Sequence, residues 1–591
     1  MKEKNRWLRF LVRWRLKSQT HYYLLIFLSV IVGFLSGIIA AIIKHSVRFI
    51  ENFLDKAPEN WLSYLHFLYP FIGIGLAVFF MVFILKQQVQ HGIPSILFAI
   101  SKNQAYLKPH NIYSSIITSA LTVGFGGSVG LEGPTVATGG GIGSTLGAIF
   151  KINYREKIIL LGAAASAAMA AIFKAPMAGI VFALEVIMID LTTYSIIPIL
   201  LASVTGSLTS FLLLGTNVIY PVNLTEYFII KQTWYFILLG IITGLIAVYF
   251  TKVYIFIEKV FSKINNKFKR LLIGSLLLGL LIFLFPALYG EGYLTINSAL
   301  KGDFNFILHN NIFSNIDENF TILIISIIIL ILLKAFATSI TFGAGGIGGI
   351  FAPTLFIGAN TGLVIALLSN FFGYQISLNN SALVAMSGAI SGVLLAPLTG
   401  IILISEITHG YELLFPLLVT STISYITARI FIKNNIYTYQ LAKRGELLTH
   451  NADKNILRLL KINDIIEKDF ITVYPDQTLG DLVKAVSVSH RNLFPVIDYD
   501  GHFLGVISLD RIRKIMFKPE LYDKIKVKDI MFIPPIVARI NESAVSVAEK
   551  LQKQSIFNIV VVDQNNHYIG FISKANLFSK YRTLLSQFSS D

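Results

Sequence analysis

Two ten-residue stretches, GLEGPTVATG at residues 130–139 and GIFAPTLFIG at residues 349–358, decide how this chain is organised. Both place glycine, one proline and apolar residues in the same order, so that Pro134 matches Pro353 at an offset of 219 (353 − 134). Glycine permits close approach of the backbone, and proline favours the first turn of a helix. Each stretch therefore predicts a loop that enters a helix N-terminus.

A second pair of stretches repeats at nearly the same distance. KAPMAGIVFALEV at residues 174–186 matches LAPLTGIILISEI at residues 395–407, with Glu185 opposite Glu406 at an offset of 221 (406 − 185). Two independent matches at nearly one offset predict an internal duplication. Paired hydrophobic segments broken by Gly and Pro are typical of transporters, whose ligand sites lie at the repeat interface near mid-membrane. The predicted repeats cover about residues 21–215 and 230–445.

The composition requires a membrane. Of the 591 residues, 54% are hydrophobic, which is too apolar for a soluble chain of this length. A run of about 20 apolar residues spans the hydrocarbon core. The clearest runs are Tyr23–Ile43, Phe67–Leu85, Tyr235–Phe250, Leu271–Leu288 and Ile322–Leu333. The sequence thus predicts an all-α polytopic membrane protein, with a basic cytoplasmic N-terminus at residues 1–20.

The charge and the cysteine count exclude several functions. The net charge is +16, but the basic residues are dispersed and form no recognition module, so nucleic acid is not an expected partner. The chain has no cysteine, which rules out disulfides, thiol catalysis and Cys-ligated metal. No HxxxH pair or His/Asp cluster is evident, and no metal site is predicted.

The composition changes near Tyr437, after which short alternating strands and amphipathic segments indicate a soluble α/β domain. This tail also repeats. FPVIDYDGHFLGVISLDRI from Phe494 matches IVVVDQNNHYIGFISKANL from Ile559 at an offset of 65 (559 − 494). The predicted boundaries are a membrane domain at 21–445, a linker at 446–460, and two tail domains at 461–518 and 524–585.

The broken segments have a chemistry of their own. The first N–H groups of a helix lack intrahelical acceptors and carry partial positive charge, so they bind anions. Such backbone is tolerated in a bilayer only where it lines a protein cavity or an aqueous path. Glu132 stands at one of these helix starts, and its carboxylate is itself an anion. Glu132 is therefore predicted to act as a tethered gate that competes with a permeating anion.

These motifs resemble the CLC family of chloride channels and chloride/proton antiporters. The matching residues are HGIP (91–94), GLEGP (130–134), GGIFAP (348–353) and NNIYTYQLAKR (434–444), and the tail is similar to a pair of CBS domains. The resemblance implies two inverted repeats in the CLC fold, no bound cofactor, and a homodimer with one anion path in each subunit. It also implies a multi-pass protein of the plasma or inner membrane, with its N-terminus and CBS domains in the cytoplasm.

The resemblance assigns roles to individual residues. Glu132 is the gating glutamate, Ile350 and Phe351 supply amides to the central anion, and the hydroxyl of Tyr437 faces that ion. His91 and Gly92 begin the segment whose serine usually contacts the anion, and here His91 replaces that serine. A neutral imidazole still donates one N–H, so anion affinity is expected to change with histidine protonation. The amides around the outer site belong to Gly130, Leu131, Glu132 and Gly133, and Leu131 stands where the family usually has arginine.

A further departure bears on mechanism. Antiporters of the family carry a proton-transfer glutamate directly after the first acid of this helix, but here Glu185 is followed by Val186. Because valine cannot relay a proton, the sequence favours a voltage-gated-type channel that conducts chloride or a similar monovalent anion passively. The alternative is a chloride/proton antiporter with a non-standard internal proton route. A cation transporter would need several inward carboxylates, and an enzyme would need a nucleophile–base or metal constellation; neither is present in the sequence.

The CBS tail raises one more expectation. CBS pairs often bind adenine nucleotides through an Asp that follows the Ser or Thr after the glycine-containing strand. Asp510 lies two residues after Ser508, one position early, and the second copy has Asn576 three residues after Ser573. Asp510 and Asn576 are thus candidate nucleotide-binding residues, and dimer stabilisation coupled to the pore is the favoured role for the tail.

Overall fold

The computed structural model describes two units. The described residues are 18–55, 67–87, 92–102, 105–187, 192–216, 229–304, 320–408, 410–443, 460 and 462–589. The chain divides into Met1–Leu447, here called the membrane unit, and Leu448–Asp591, here called the tail unit. Most of the predicted N-terminal segment and of the predicted linker lies outside the described residues.

The membrane unit is built from helices that are broken at glycine and proline. Seven described helical stretches are long and apolar enough to cross a membrane by length and composition: His21–Leu54, Tyr154–Phe173, Thr193–Leu214, Ile230–Ser262, Phe320–Ala344, Phe351–Phe371 and Leu414–Tyr439. The helices, numbered in chain order, are α1 (Ser18–Asp55), α2 (Tyr69–Phe79), α3 (Gly92–Lys102), α4 (Asn111–Gly124), α5 (Glu132–Ile149), α6 (Tyr154–Phe173), α7 (Pro176–Glu185), α8 (Thr193–Leu214), α9 (Thr233–Ser262), α10 (Lys267–Leu284), α11 (Tyr293–Leu300), α12 (Phe320–Ala344), α13 (Phe351–Phe371), α14 (Leu378–Leu394), α15 (Pro397–Ile407), α16 (Leu414–Phe431) and α17 (Ile436–Lys443).

The predicted duplication is visible in the packing. In the first half α6 packs against α5 and α8, and α1 packs against α8. In the second half α14 packs against α13 and α16, and α9 packs against α16. Small residues permit these contacts, as membrane helix interfaces require: a β-carbon on Gly206 of α8 would lie 2.7 Å from the carbonyl oxygen of Ala167 on α6.

Two acids join the halves reciprocally. The carboxylate of Glu406, near the end of α15, accepts a 2.8 Å hydrogen bond from the N–H of Ala178 in the first turn of α7. The carboxylate of Glu185, at the end of α7, accepts a 2.8 Å hydrogen bond from the N–H of Thr399 in the first turn of α15. Each carboxylate thus satisfies orphan amides at a helix start, where negative charge is stabilising.

The tail unit contains two similar halves. Strands β1 and β2 form an antiparallel pair, and β3, β4 and β5 form a sheet in which β3 runs parallel to β4. Each antiparallel pair shifts register at the same place, after Val496 and after Val561. The elements are α18 (Leu479–Val488), β1 (Leu493–Ile497), β2 (Phe503–Ser508), α19 (Leu509–Ile512), α20 (Val527–Ile530), β3 (Ala538–Arg539), α21 (Ala544–Lys553), β4 (Asn558–Val562), β5 (Tyr568–Ser573) and α22 (Lys574–Ser589).

Candidate functional site

The starts of α5 and α13 lie side by side. The N–H of Gly130 donates to the carbonyl of Gly349 at 2.8 Å, and the N–H of Gly349 donates to the carbonyl of Gly130 at 2.7 Å. The residues that precede the two helices adopt the same conformation, with φ −94° and ψ −9° at Leu131 and φ −94° and ψ −2° at Ile350. The two stretches that match in sequence therefore meet as equivalent helix N-termini.

The start of α3 joins them, and glycine makes this convergence possible. A β-carbon on Gly133 would lie 3.1 Å from the carbonyl oxygen of Gly348, and one on Gly92 would lie 3.0 Å from the Cα of Gly133. These distances are shorter than ordinary contacts, so larger side chains would push the three helix starts apart. The partial positive charge at the starts of α3, α5 and α13 converges on one small region, an arrangement that can bind an anion.

Glu132 lies inside this region. Its side chain is buried, with 1% of its surface exposed. Oε1 accepts a 2.9 Å hydrogen bond from the hydroxyl of Tyr293, whereas Oε2 has no hydrogen-bond partner among the described residues. Oε2 lies against the backbone just before both helices, since a β-carbon on Gly349 would lie 3.2 Å from it. The Glu132 carboxylate therefore lies at the junction between the starts of α5 and α13.

Tyr437, predicted to face the anion, has a buried hydroxyl. Tyr437 stands at the second position of α17, is 5% exposed, and its hydroxyl has no hydrogen-bond partner among the described residues. Helix α17 packs against α3, the helix that begins at Gly92. Ile350 and Phe351 are buried, and the ring of Phe351 lies 5.3 Å from that of Phe173. His91 lies outside the described residues.

Comparisons with known proteins identify the family of the membrane domain and of the tail. The family model described as "Voltage gated chloride channel" matches residues 74–429, and the CBS domain model matches residues 462–518 and 527–582. The chain belongs to the CLC family. It is therefore a multi-pass membrane anion transporter rather than an enzyme, and it carries a C-terminal CBS pair.

Several relatives of this CLC protein are named as H⁺/Cl⁻ exchange transporters. The "H(+)/Cl(-) exchange transporter ClcA" of Vibrio cholerae serotype O1 (strain M66-2) is 26% identical over 447 residues, covering 72% of this chain and 90% of the relative. The transporter of the same name from Klebsiella pneumoniae is 27% identical over 413 residues, covering 67% and 83%.

The solved structures confirm the CLC fold. A slow cyanobacterial Cl⁻/H⁺ antiporter aligns with a TM-score of 0.58 at 23% identity, covering 71% of this chain and 97% of that one. A eukaryotic CLC transporter aligns with a TM-score of 0.61 at 19% identity, covering 94% and 98%. The second alignment extends over most of the chain.

Two residues next to Glu132 and Leu131 were not predicted from the sequence. The N–H of Leu131, predicted to face the outer anion, donates instead to Oε1 of Glu291 at 3.2 Å. Tyr293, two residues further on, holds Glu132. The motif GEGY at residues 290–293 offered a signal, because Glu291 is the only acid between residues 259 and 302 and stands between two glycines.

Val186, at the position where the resemblance predicts a proton relay, is buried in this structure. Val186 follows the last residue of α7 and is 1% exposed. The preceding acid, Glu185, is engaged by amides of α15 and by the hydroxyl of Thr399 at 2.8 Å. Neither residue presents a free carboxylate at this end of α7.

The two candidate nucleotide residues have other partners. Asp510 pairs with Arg513 at 2.8 Å in an exposed position. The side-chain amide of Asn576 donates to the carbonyl of Ile465 at 3.0 Å, and its backbone N–H donates to the hydroxyl of Ser573 at 3.0 Å. Nucleotide binding at these residues stays a prediction.

One His/Asp cluster was overlooked in the sequence. Asp498, Asp500 and His502 bring one ligand atom each within 4.8 Å of one another in the turn between β1 and β2. Nδ1 of His502 lies 3.0 Å from the carboxylate of Asp498, and its ring stacks on that of His567 at 4.5 Å. His567 contacts Asp563 in the same way at 2.9 Å, so the cluster belongs to a repeated structural turn.

Proposed function

We propose that this protein exchanges chloride, or a similar monovalent anion, for protons across the membrane, with Glu132 as the carboxylate that serves both ions. The sequence favoured a passive channel because Val186 replaces an acid. Relatives that span most of the membrane domain are named H⁺/Cl⁻ exchangers, and this favours the alternative. The observation that carries the proposal is the buried Glu132 carboxylate at the junction of α5 and α13, with one oxygen unpartnered among the described residues.

The anion half of the cycle follows from competition for the same amides. When Glu132 is ionised, its carboxylate satisfies the positive ends of α5 and α13, and an anion cannot occupy that position. Protonation removes the charge and weakens those contacts, so an anion enters as the neutral side chain leaves. The amides carry no full positive charge, which lets the ion bind and also depart. In this proposal Tyr437 supplies a hydroxyl to the ion, and His91 and Gly92 border it.

The proton half requires a route that does not use Val186. Glu185 is the nearest acid in sequence, but its carboxylate is engaged by amides of α15. We therefore expect protons to reach Glu132 through water or through a group outside the usual relay. Such a route predicts slower or less strictly coupled exchange than an acid at position 186 would give.

Three further features accompany this proposal and rest on the family resemblance. The protein is proposed to be a homodimer with one anion path in each subunit, with its N-terminus and CBS pair in the cytoplasm. The tail is proposed to regulate transport, with Asp510 and Asn576 as candidate adenine-nucleotide contacts. Mass photometry in detergent and nucleotide titration would test the first and last of these.

The exchange proposal is tested by recording chloride and pH together in liposomes that contain the full chain. An outward chloride gradient should drive protons uphill in the wild type. The variant Glu132→Gln cannot exchange a proton and should pass chloride without proton movement. Wild-type chloride flux without any proton movement would assign the protein to the channel class.

A further inference from the structure

A second carboxylate reaches the proposed anion path from the other repeat. Oε1 of Glu291 accepts the N–H of Leu131 at 3.2 Å, at the position that precedes α5. This N–H is one of the amides predicted to bind the outer anion. Glu291 also lies close enough to Glu132 for their charges to interact. An anion at the outer site would therefore meet two tethered competitors.

A glycine with positive φ stands directly after Glu291 at the start of α11, and another stands at the start of α3. Gly292, directly before α11, has φ +87°, and Gly92, the first residue of α3, has φ +35°. A β-carbon on Gly292 would lie 2.5 Å from the ring of Phe356 on α13, just as Gly92 abuts α5. Glu291 thus precedes its glycine as His91 precedes Gly92, at an offset of 200 (291 − 91).

A buried lysine holds the segment that carries Glu291. The ammonium of Lys334, which is fully buried, donates to the carbonyls of Gly290 at 3.0 Å and Leu288 at 3.3 Å. The charge of Lys334 attracts that of Glu291. The charge of Lys44 attracts those of both Glu291 and Glu132. The charged groups that face Glu291 are Glu132, Glu51, Lys44 and Lys334.

We propose that Glu291 is a second anion-competing residue of the transport path, which holds the Leu131 N–H when ionised and releases it to the anion when protonated or displaced. This inference rests on the proposed function, because it takes the Leu131 amide to belong to the anion path. Anion affinity then depends on two carboxylates, and Glu132 alone does not account for its pH dependence.

Chloride binding to the full chain in detergent, measured by isothermal titration calorimetry at neutral and acidic pH, tests this role. Glu291→Gln removes the charge but keeps an acceptor for the Leu131 N–H, whereas Glu291→Ala removes both. At neutral pH the affinity should rise about threefold in the Gln variant and about tenfold in the Ala variant, since a hydrogen bond to a charged group is involved. Both effects should shrink in acid, where the wild-type carboxylate is neutral. Asp303→Asn, an exposed acid beyond the other end of α11, is the matched control and should bind as the wild type does.

The chloride affinities of the two Glu291 variants, relative to the wild type, decide the outcome. Affinity equal to the wild type in both variants, or weaker binding in Glu291→Ala, would overturn the competing role. If the Ala variant does not elute as a monodisperse protein, the isosteric Gln variant carries the test through its pH dependence. Binding needs no gradient, so a wild type that binds chloride but moves no protons refutes exchange and leaves this inference standing. A wild type that binds no chloride refutes both.

Discussion

The hydroxyl of Tyr293 is expected to determine how readily an anion displaces the Glu132 carboxylate. It donates to Oε1 of Glu132 at 2.9 Å, a normal length, in a site where Glu132 is 1% exposed. A hydrogen bond to a charged group contributes about 1.5–3 kcal/mol. The backbone of Gly349, which borders Oε2 of Glu132, stays in place when the hydroxyl is removed. We therefore take the lower end, about 1.5 kcal/mol, which corresponds to slightly more than a tenfold change in an equilibrium constant.

The variant Tyr293→Phe should consequently bind chloride about tenfold more tightly at neutral pH, because the carboxylate is easier to displace. Isothermal titration calorimetry measures this directly. The effect should disappear when Glu132 is already alanine, which a double-mutant cycle would show. Tyr289→Phe is the matched control, since its hydroxyl donates to the carbonyl of Gly124 at 2.9 Å. Unchanged affinity in Tyr293→Phe, or an equal change in Tyr289→Phe, would refute this reasoning.

Three further predictions concern other parts of the chain. Glu406→Gln weakens the charge-assisted bonds at the start of α7 and should destabilise the protein by about 1–3 kcal/mol, seen as a lower melting temperature in detergent; an unchanged melting temperature would contradict the capping role. Val186→Glu restores an acid at the relay position and should increase the protons moved per chloride in liposomes, whereas a lower ratio would argue against a relay-limited route. In the tail, the hydrogen bond from the backbone N–H of His567 lowers the pKa of Asp563. The stability this gives is present above the unfolded pKa of about 3.9 and is lost as pH falls through the lower folded pKa. Hydrogen exchange in β4 and β5 of the full chain should accelerate only in that acidic range, and acceleration already at pH near 6 would indicate a different titrating group.

The elements predicted well were those set by local sequence. Loop-to-helix transitions are favoured by glycine followed closely by proline. The two helix starts could therefore be recognised from the order of Gly130 and Pro134, and of Gly349 and Pro353. The duplication then implied that these starts are equivalent, and their matching backbone angles agree. Comparison with known proteins confirmed the predicted family, the helical membrane fold and the CBS pair.

The groups that surround Glu132 could not be predicted, because their contacts are distant in sequence. Glu291 reaches Leu131 across 160 positions, and Tyr293 reaches Glu132 across 161. No spacing rule connects residues so far apart, since their meeting depends on how α11 packs against α13. Likewise, the amides of α15 that hold Glu185 lie 213 and 214 positions away from it in the sequence.

The central claim is that anion and proton movements are linked through one site. Its most direct test is the membrane voltage at which net proton movement stops, measured in potassium-clamped liposomes at fixed chloride and pH gradients. An exchanger predicts that this voltage depends on both gradients and that Glu132→Gln abolishes proton movement at every voltage. Protons that never move with chloride in the wild type, at any voltage, would contradict the account.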